Sequence, residues 1–295
     1  MSPDVPPFIF ARDGERWIPQ PLANGPWYAG TMHGSAMLGL LARAIEGEPS
    51  GGEFQVTRFT ADMMRAAPME PLETPTVVYH AGRSSELVEA RIEAGGRMCA
   101  RATGLRLRLG EIDTSDEPAS YGTGLTMPAP DPERTGSFIP DLDEPMPPAF
   151  HQAVDFQPVL GAERPAVWFR MRLPLVDGEA LSPFVRTALI SDWTYSLSFI
   201  ARTFRSGGIP PARSFSAINP DTSVNLHRPL RGEWVGLDGQ IHYGGTGAGT
   251  ALAFVHDTEG PIGHSSQSIL LRDAEKAANT PAALRQRALR DQGQS

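Results

Sequence analysis

A single cysteine, Cys99, rules out an intrachain disulfide and a multi-cysteine metal site, usage that fits a reducing, cytoplasmic setting. Cys99 falls on the apolar side of a strand-like run, which reads as packing rather than nucleophilic chemistry. Positive charge is also scarce. Twenty-six Lys and Arg face 34 Asp and Glu, for a net charge of −8, so no cationic excess exists to displace counterions from nucleic acid or an anionic membrane. No apolar run approaches the roughly 18 residues that span a bilayer. The first residues, MSPDVPPFIFARDGER, lack the basic leader and apolar core of a secretory signal, and none is expected. Seven histidines show neither HxxxH nor HExxH spacing, so no metal site is expected. A P-loop, a dinucleotide glycine motif and a G-x-S-x-G elbow are missing too, which removes the commonest nucleotide-enzyme and serine-hydrolase readings.

What is present folds. Hydrophobic residues make up 40% and charged residues 20% of 295, a globular composition long enough for two units of roughly 150 residues. Phe8 to Ile18 reads as a hairpin turning at Asp13-Gly14. His33 to Glu46 reads as a helix apolar on most sides, stopped at Gly47. Strands follow at Phe54 to Met64, Thr76 to Ala81, Leu87 to Ile92 and Met98 to Leu107, the last two joined at Gly95-Gly96. From Gly110 to Pro148, prolines, aspartates and glycines crowd together, the mark of a linker wrapped over the surface. Afterwards the plan repeats: strands at Phe150 to Phe156 and Ala166 to Leu173, then a helix capped by Ser182 and Pro183 that runs to about Arg202. Five more strands follow, at Phe215 to Ile218, Ser223 to Pro229, Glu233 to Tyr243, Thr250 to His256 and Ile262 to Leu271. The expected division is 1–109, a linker at 110–148, a second unit at 149–272, and a charged surface tail at 273–295.

A long helix early in an antiparallel sheet, needing apolar cover on most sides, suggests a sheet curled around it. The expected class is α+β, a double hotdog: two antiparallel sheets, each wrapped around a long central helix. The segments WYAGTMHGSAMLGLLARA from Trp27, FQVTRFTADMMRAAPMEP from Phe54, ISDWTYSL from Ile190, INPDTSVNLHRPLRGEW from Ile218 and GHSSQSILLR from Gly263 resemble the type II acyl-CoA thioesterase (TesB-like) family. The resemblance spans nearly the whole chain apart from the linker and tail. It implies hydrolysis of acyl-CoA, or of an acyl carrier protein thioester, within fatty acid metabolism. It further implies no cofactor, no covalent intermediate and a homodimer or tetramer.

The family's water-holding group of Asp, Thr or Ser, and Gln falls on Asp192, Asn219 and Gln267. Alignment on His227-Arg228-Pro229 puts Asn219 at the hydroxyl position, with Thr222 and Ser223 three and four residues further on. Asp192 lies on a helix otherwise rich in Phe184, Val185, Leu189, Trp193 and Leu197, where an ionised carboxylate must find partners or water. That apolar setting is expected to raise its proton affinity toward working pH, making it the general base. Alternation along the last strand puts Gln267 on the same face as Ser265 and Ile269. His33 opens the first helix, and the resemblance has it assist while the Gly34 or Ser35 amide polarises the thioester carbonyl; a plain helix cap is the alternative. Trp193, with Met63, Met64 and Phe199, is a candidate for the acyl pocket. Arg58, Arg65 and Arg231 are candidates for CoA phosphates, whereas His227 and Arg228 read as structural. Two other readings stay open. Hydration of an enoyl thioester would need an Asp-His pair, which the sequence does not display, and a non-catalytic acyl-thioester binder would follow if Asn219 marks lost chemistry.

Overall fold

The turn expected at Asp13-Gly14 closes β1 (Phe10–Asp13) onto β2 (Arg16–Pro19), with Gly14 at φ 61°, a conformation costly for any residue with a Cβ. A computed structural model describes residues 5–25, 30–115, 126–133, 147–207 and 214–273. Part of the Trp27 motif, residues 26–29, and the tail from 274 onward lie outside these. After α1 (Gly34–Gly47) come β3 (Phe54–Met63), β4 (Leu72–Glu73), β5 (Thr76–Ala81), β6 (Ser85–Ala94) and β7 (Arg97–Arg108). The second half opens with a 3-10 turn at Phe150–Ala153, where a strand was expected, then β8 (Val154–Pro158) and β9 (Ala166–Met171). Two helices follow, α2 (Pro183–Ser191) and α3 (Leu197–Arg205), and then β10 (Phe215–Ile218), β11 (Asp221–Leu226), β12 (Trp234–Tyr243), β13 (Ala248–Asp257) and β14 (Gly260–Asp273).

The halves share one antiparallel sheet in the order β1-β2-β4-β6-β7-β3-β11-β14-β13-β12-β9-β8, with β5 also on β6 and β10 also on β14. The seam is β3 on β11, in register from Asp221 opposite Asp62 to Asn225 opposite Arg58. Pairing there satisfies two strand edges that would otherwise be open. Helix α1 lies against β6 and β7 and buries Met37, Leu38, Leu40, Leu41 and Ile45, each worth about 1.5–3 kcal/mol over exposure. The two long helices meet directly. A Cβ on Gly39 would stand 2.6 Å from Leu189 Cδ2, so the bare backbone sets how close α1 and α2 come.

The second helix is not continuous, which corrects the expectation of one helix from Ser182 to about Arg202. Its start is as expected: Ser182 Oγ accepts Val185 N–H at 3.0 Å, with Pro183 in the first turn. It stops at Ser191, passes through a 3-10 turn at Thr194–Ser196 and restarts at Leu197. Part of the linker is docked: Trp168 Nε1 donates to Pro128 O at 2.7 Å, and Gln157 exchanges two hydrogen bonds with the Asp131 backbone.

Candidate active site

Where α2 stops, Asp192 is buried against the first turn of α1. Its Oδ1 accepts Asn219 Nδ2 at 2.8 Å, and its Oδ2 accepts Ser35 Oγ at 3.0 Å with His33 Nδ1 3.3 Å away. A Cβ on Gly34 would lie 2.7 Å and 2.8 Å from the two carboxylate oxygens, so only glycine lets the positive end of α1 approach the acid this closely. Asn219 reaches it from the two-residue link between β10 and β11, where Pro220 holds the preceding backbone extended. The site is thus assembled from both halves. Burial alone pushes the Asp192 carboxyl up, but His33 by hydrogen bond and charge, then Asn219 and Ser35, outweigh it and hold the group below the ordinary carboxylate value. The expectation of a raised proton affinity is therefore overturned: the neighbours bond the ionised form.

His33 does cap α1, its Nδ1 accepting Ser35 N–H at 3.0 Å. In this arrangement the Ser35 amide is taken up by the cap rather than turned to substrate. The imidazole is 5% exposed and sandwiched: Phe150 and Trp193 stack on its two faces, centroids 5.0 Å away at 21° and 27°. Trp193 in turn stacks on Phe169 and meets Phe156 edge-on. It is the wall of the imidazole slot.

Gln267 is buried on the same face as Ser265 and Ile269, the face alternation assigned it. Its amide is inserted into the break in the second helix. In a continuous helix Tyr195 N–H would donate to Ser191 O. Instead Tyr195 N–H donates to Gln267 Oε1 at 2.8 Å, while Gln267 Nε2 donates to Ser191 O at 3.3 Å, Asp192 O at 3.1 Å and Thr222 Oγ1 at 2.8 Å. The side chain replaces the severed backbone bond and touches the Asp192 main chain, not its carboxylate. Thr222, three residues after Asn219, serves Gln267 and not the acid.

The arginines stand elsewhere. Phe59 on β3 packs edge-on against Phe184 of α2, so its neighbour Arg58 projects from the opposite face of the sheet, exposed and away from Asp192. Arg65 is exposed just beyond β3, whose Met63 N–H donates to Pro220 O at 2.7 Å beside Asn219. Arg231 pairs with Glu259, and Arg228 with the buried Asp257, which closes a turn by also accepting Arg231 N–H and Glu259 N–H. The Asp-His pair that the sequence did not display is present as Asp192 and His33, 159 residues apart along the chain. Among the described residues no three His, Cys, Asp or Glu side chains converge to hold a metal, and no helix is long and apolar enough to cross a membrane.

A broad antiparallel sheet carrying a buried helix in its first half and a broken one in its second, with polar chemistry where the helices meet, defines the hotdog class. Solved structures with this fold include a Novosphingobium aromaticivorans protein (TM-score 0.62, 18% identity, 90% of this chain and 98% of that one). Others are a tesB protein of Mycobacterium avium subspecies paratuberculosis (0.60, 16%, 89% and 96%) and an acyl-CoA thioesterase II of Mycobacterium marinum (0.59, 16%, 88% and 93%). No curated protein sequence matches. The acyl-CoA thioesterase N-terminal domain model matches residues 23–107 and the C-terminal domain model residues 124–271. The chain belongs to the acyl-CoA thioesterase family and is a thioester hydrolase.

Proposed function

We propose that the protein hydrolyses acyl-CoA thioesters to a free acid and CoA, using a water activated at the cluster of His33, Asp192 and Asn219. One observation carries this: a buried carboxylate held by Asn219, Ser35 and His33 at the joint of two helices. Such a group is costly to bury and needs a task or full satisfaction. Asn219 donates to Asp192 through Nδ2, which leaves its amide oxygen to hold a water. Gln267 supports the centre by keeping the helix open at Asp192. The Gly34 N–H, at the positive end of α1, is the donor left for the thioester oxygen. Residues 1–109 and 149–272 are taken as the two hotdog units, each contributing one side of the centre. Exposed Leu252, Leu270 and Tyr243 offer apolar surface for a homodimer or tetramer.

Asp192→Asn tests the reading: it should fold, and lose at least about 100-fold in thiol release across short, long, branched and aromatic acyl-CoAs. Full retained activity removes Asp192 from the chemistry. The Asp-His pair is also what enoyl-thioester hydration requires. Loss of conjugated absorbance from crotonyl-CoA without thiol release would favour that reaction, and tight acyl-CoA binding without turnover of either kind would favour a binding protein.

A further inference from the structure

His33 Nδ1 has two neighbours that make opposite demands. Ser35 N–H, at 3.0 Å, asks it to accept, and Asp192 Oδ2, at 3.3 Å, asks it to donate. A neutral imidazole carries its proton on one nitrogen only. With the proton on Nε2, a lone pair on Nδ1 faces an anionic oxygen in a buried site, which is repulsive at low dielectric. With the proton on Nδ1, His33 donates to Asp192, Ser35 N–H is released at the first turn of α1, and the Nε2 lone pair becomes free. Nδ1 cannot serve the cap and the acid together.

We propose that His33, oriented by Asp192, is the group that takes the proton from the attacking water, so that Asp192 is a positioning residue acting through the imidazole. This rests on the reading of the site as a thioester hydrolase centre. Three features support it beyond the tautomer argument. The Asp192 carboxylate is fully engaged by Asn219, Ser35 and the N-terminal turn of α1, all of which favour its anion and make it a poor proton acceptor. The stacked Phe150 and Trp193 rings hold the imidazole plane in place. Aromatic faces on both sides also favour the imidazolium that forms when the proton arrives.

The step balances. Water oxygen bonds to the thioester carbon as its proton moves to His33 Nε2, giving an imidazolium whose Nδ1–H faces Asp192. The negative charge gathers on the carbonyl oxygen, toward Gly34 N–H and the released Ser35 N–H. The tetrahedral species then collapses, the C–S bond breaks with its electron pair on sulfur, and the imidazolium returns its proton to the leaving thiolate.

The test is steady-state thiol release from an acyl-CoA between about pH 5 and about pH 9. Wild-type kcat/KM should fall on the acid side as one group protonates. His33→Asn keeps a capping side chain; it should lose about 100-fold or more in kcat, lose that acid limb, and recover in part with added imidazole. A 15N-histidine spectrum of the wild-type protein near neutral pH should place the proton on Nδ1, a readout independent of any variant's folding. An unchanged acid limb in His33→Asn, or a proton found on Nε2, overturns the His33 assignment and leaves thioester hydrolysis standing. A wild-type protein that releases no thiol from any acyl-CoA overturns both.

Discussion

A methyl group at position 34 would stand inside the packing distance of both carboxylate oxygens of Asp192, nearer than carbon and oxygen tolerate. Gly34→Ala is otherwise a good change for a helix, so its cost should appear in the chemistry. We expect stability within about 1 kcal/mol of the parent and kcat/KM lower by roughly 10- to 100-fold from a displaced acid; denaturant titration and thiol-release kinetics check the two halves of this statement. Asp192 was legible in the sequence because a carboxylate amid Phe184, Leu189, Trp193 and Leu197 must be satisfied somehow. The direction of its proton affinity was not. That direction is set by His33 and Ser35, which lie more than 150 residues earlier and are invisible to any local reading of Asp192's own helix.

Among the elements, the second helix shows how a distant side chain overrides local periodicity. The run from Phe184 to Phe199 keeps helical apolar spacing across Asp192, and nothing in it marks a stop. The stop comes from Gln267, 72 residues beyond Tyr195, whose amide inserts between Ser191 O and Tyr195 N–H, a recognised cause of helix interruption. Gln267→Ala removes the brace, leaving buried backbone groups unpaired or allowing the helix to close up. We expect a loss of about 1–3 kcal/mol in stability together with a fall in kcat larger than the change in KM, because substrate contacts are untouched while Asp192 shifts. Equal catalytic parameters in a folded Gln267→Ala would show that the break does not set the acid. The face of Gln267 was readable from strand alternation. Its partner was not, because alternation gives a side, not an address.

For the molecule as a whole, the order of helix and strands was largely legible, since periods of two and 3.6 follow from how each element buries a face. The seam of β3 on β11 joins strands from opposite halves, which local periodicity cannot pair. The outer face of the second half adds a feature with a pH signature. His256 is fully buried opposite Gly236, over which Met127 Sδ and Trp168 lie, and among the described residues neither ring nitrogen has a hydrogen-bond partner. Burial, and to a lesser degree Arg164, push its pKa below the usual imidazole value against the pull of Asp238 and Asp257. The folded protein therefore binds this proton less readily than the unfolded chain. Its stability should be level above the unfolded value of 6.5 and decline as pH falls below it, until the depressed folded pKa is passed. Thermal melts from about pH 7.5 to about pH 5 should show this decline, and His256→Phe should flatten it; an identical slope in the variant would assign the decline to other groups.

The meeting of the two helices also sets a stoichiometry. At one end α1 begins with His33 and α2 ends with Asp192; at the other α2 begins with Ser182 and α1 ends beside Glu46, at a cavity of about 320 Å³ also lined by Arg43 and Val185. There, burial raises the Glu46 carboxyl despite the Ser182 hydroxyl, and no imidazole stands at the cap. The repeated architecture supplies two such ends, and among the described residues only the first joins an acid to an imidazole, so a tight inhibitor of turnover should saturate each polypeptide at a single equivalent.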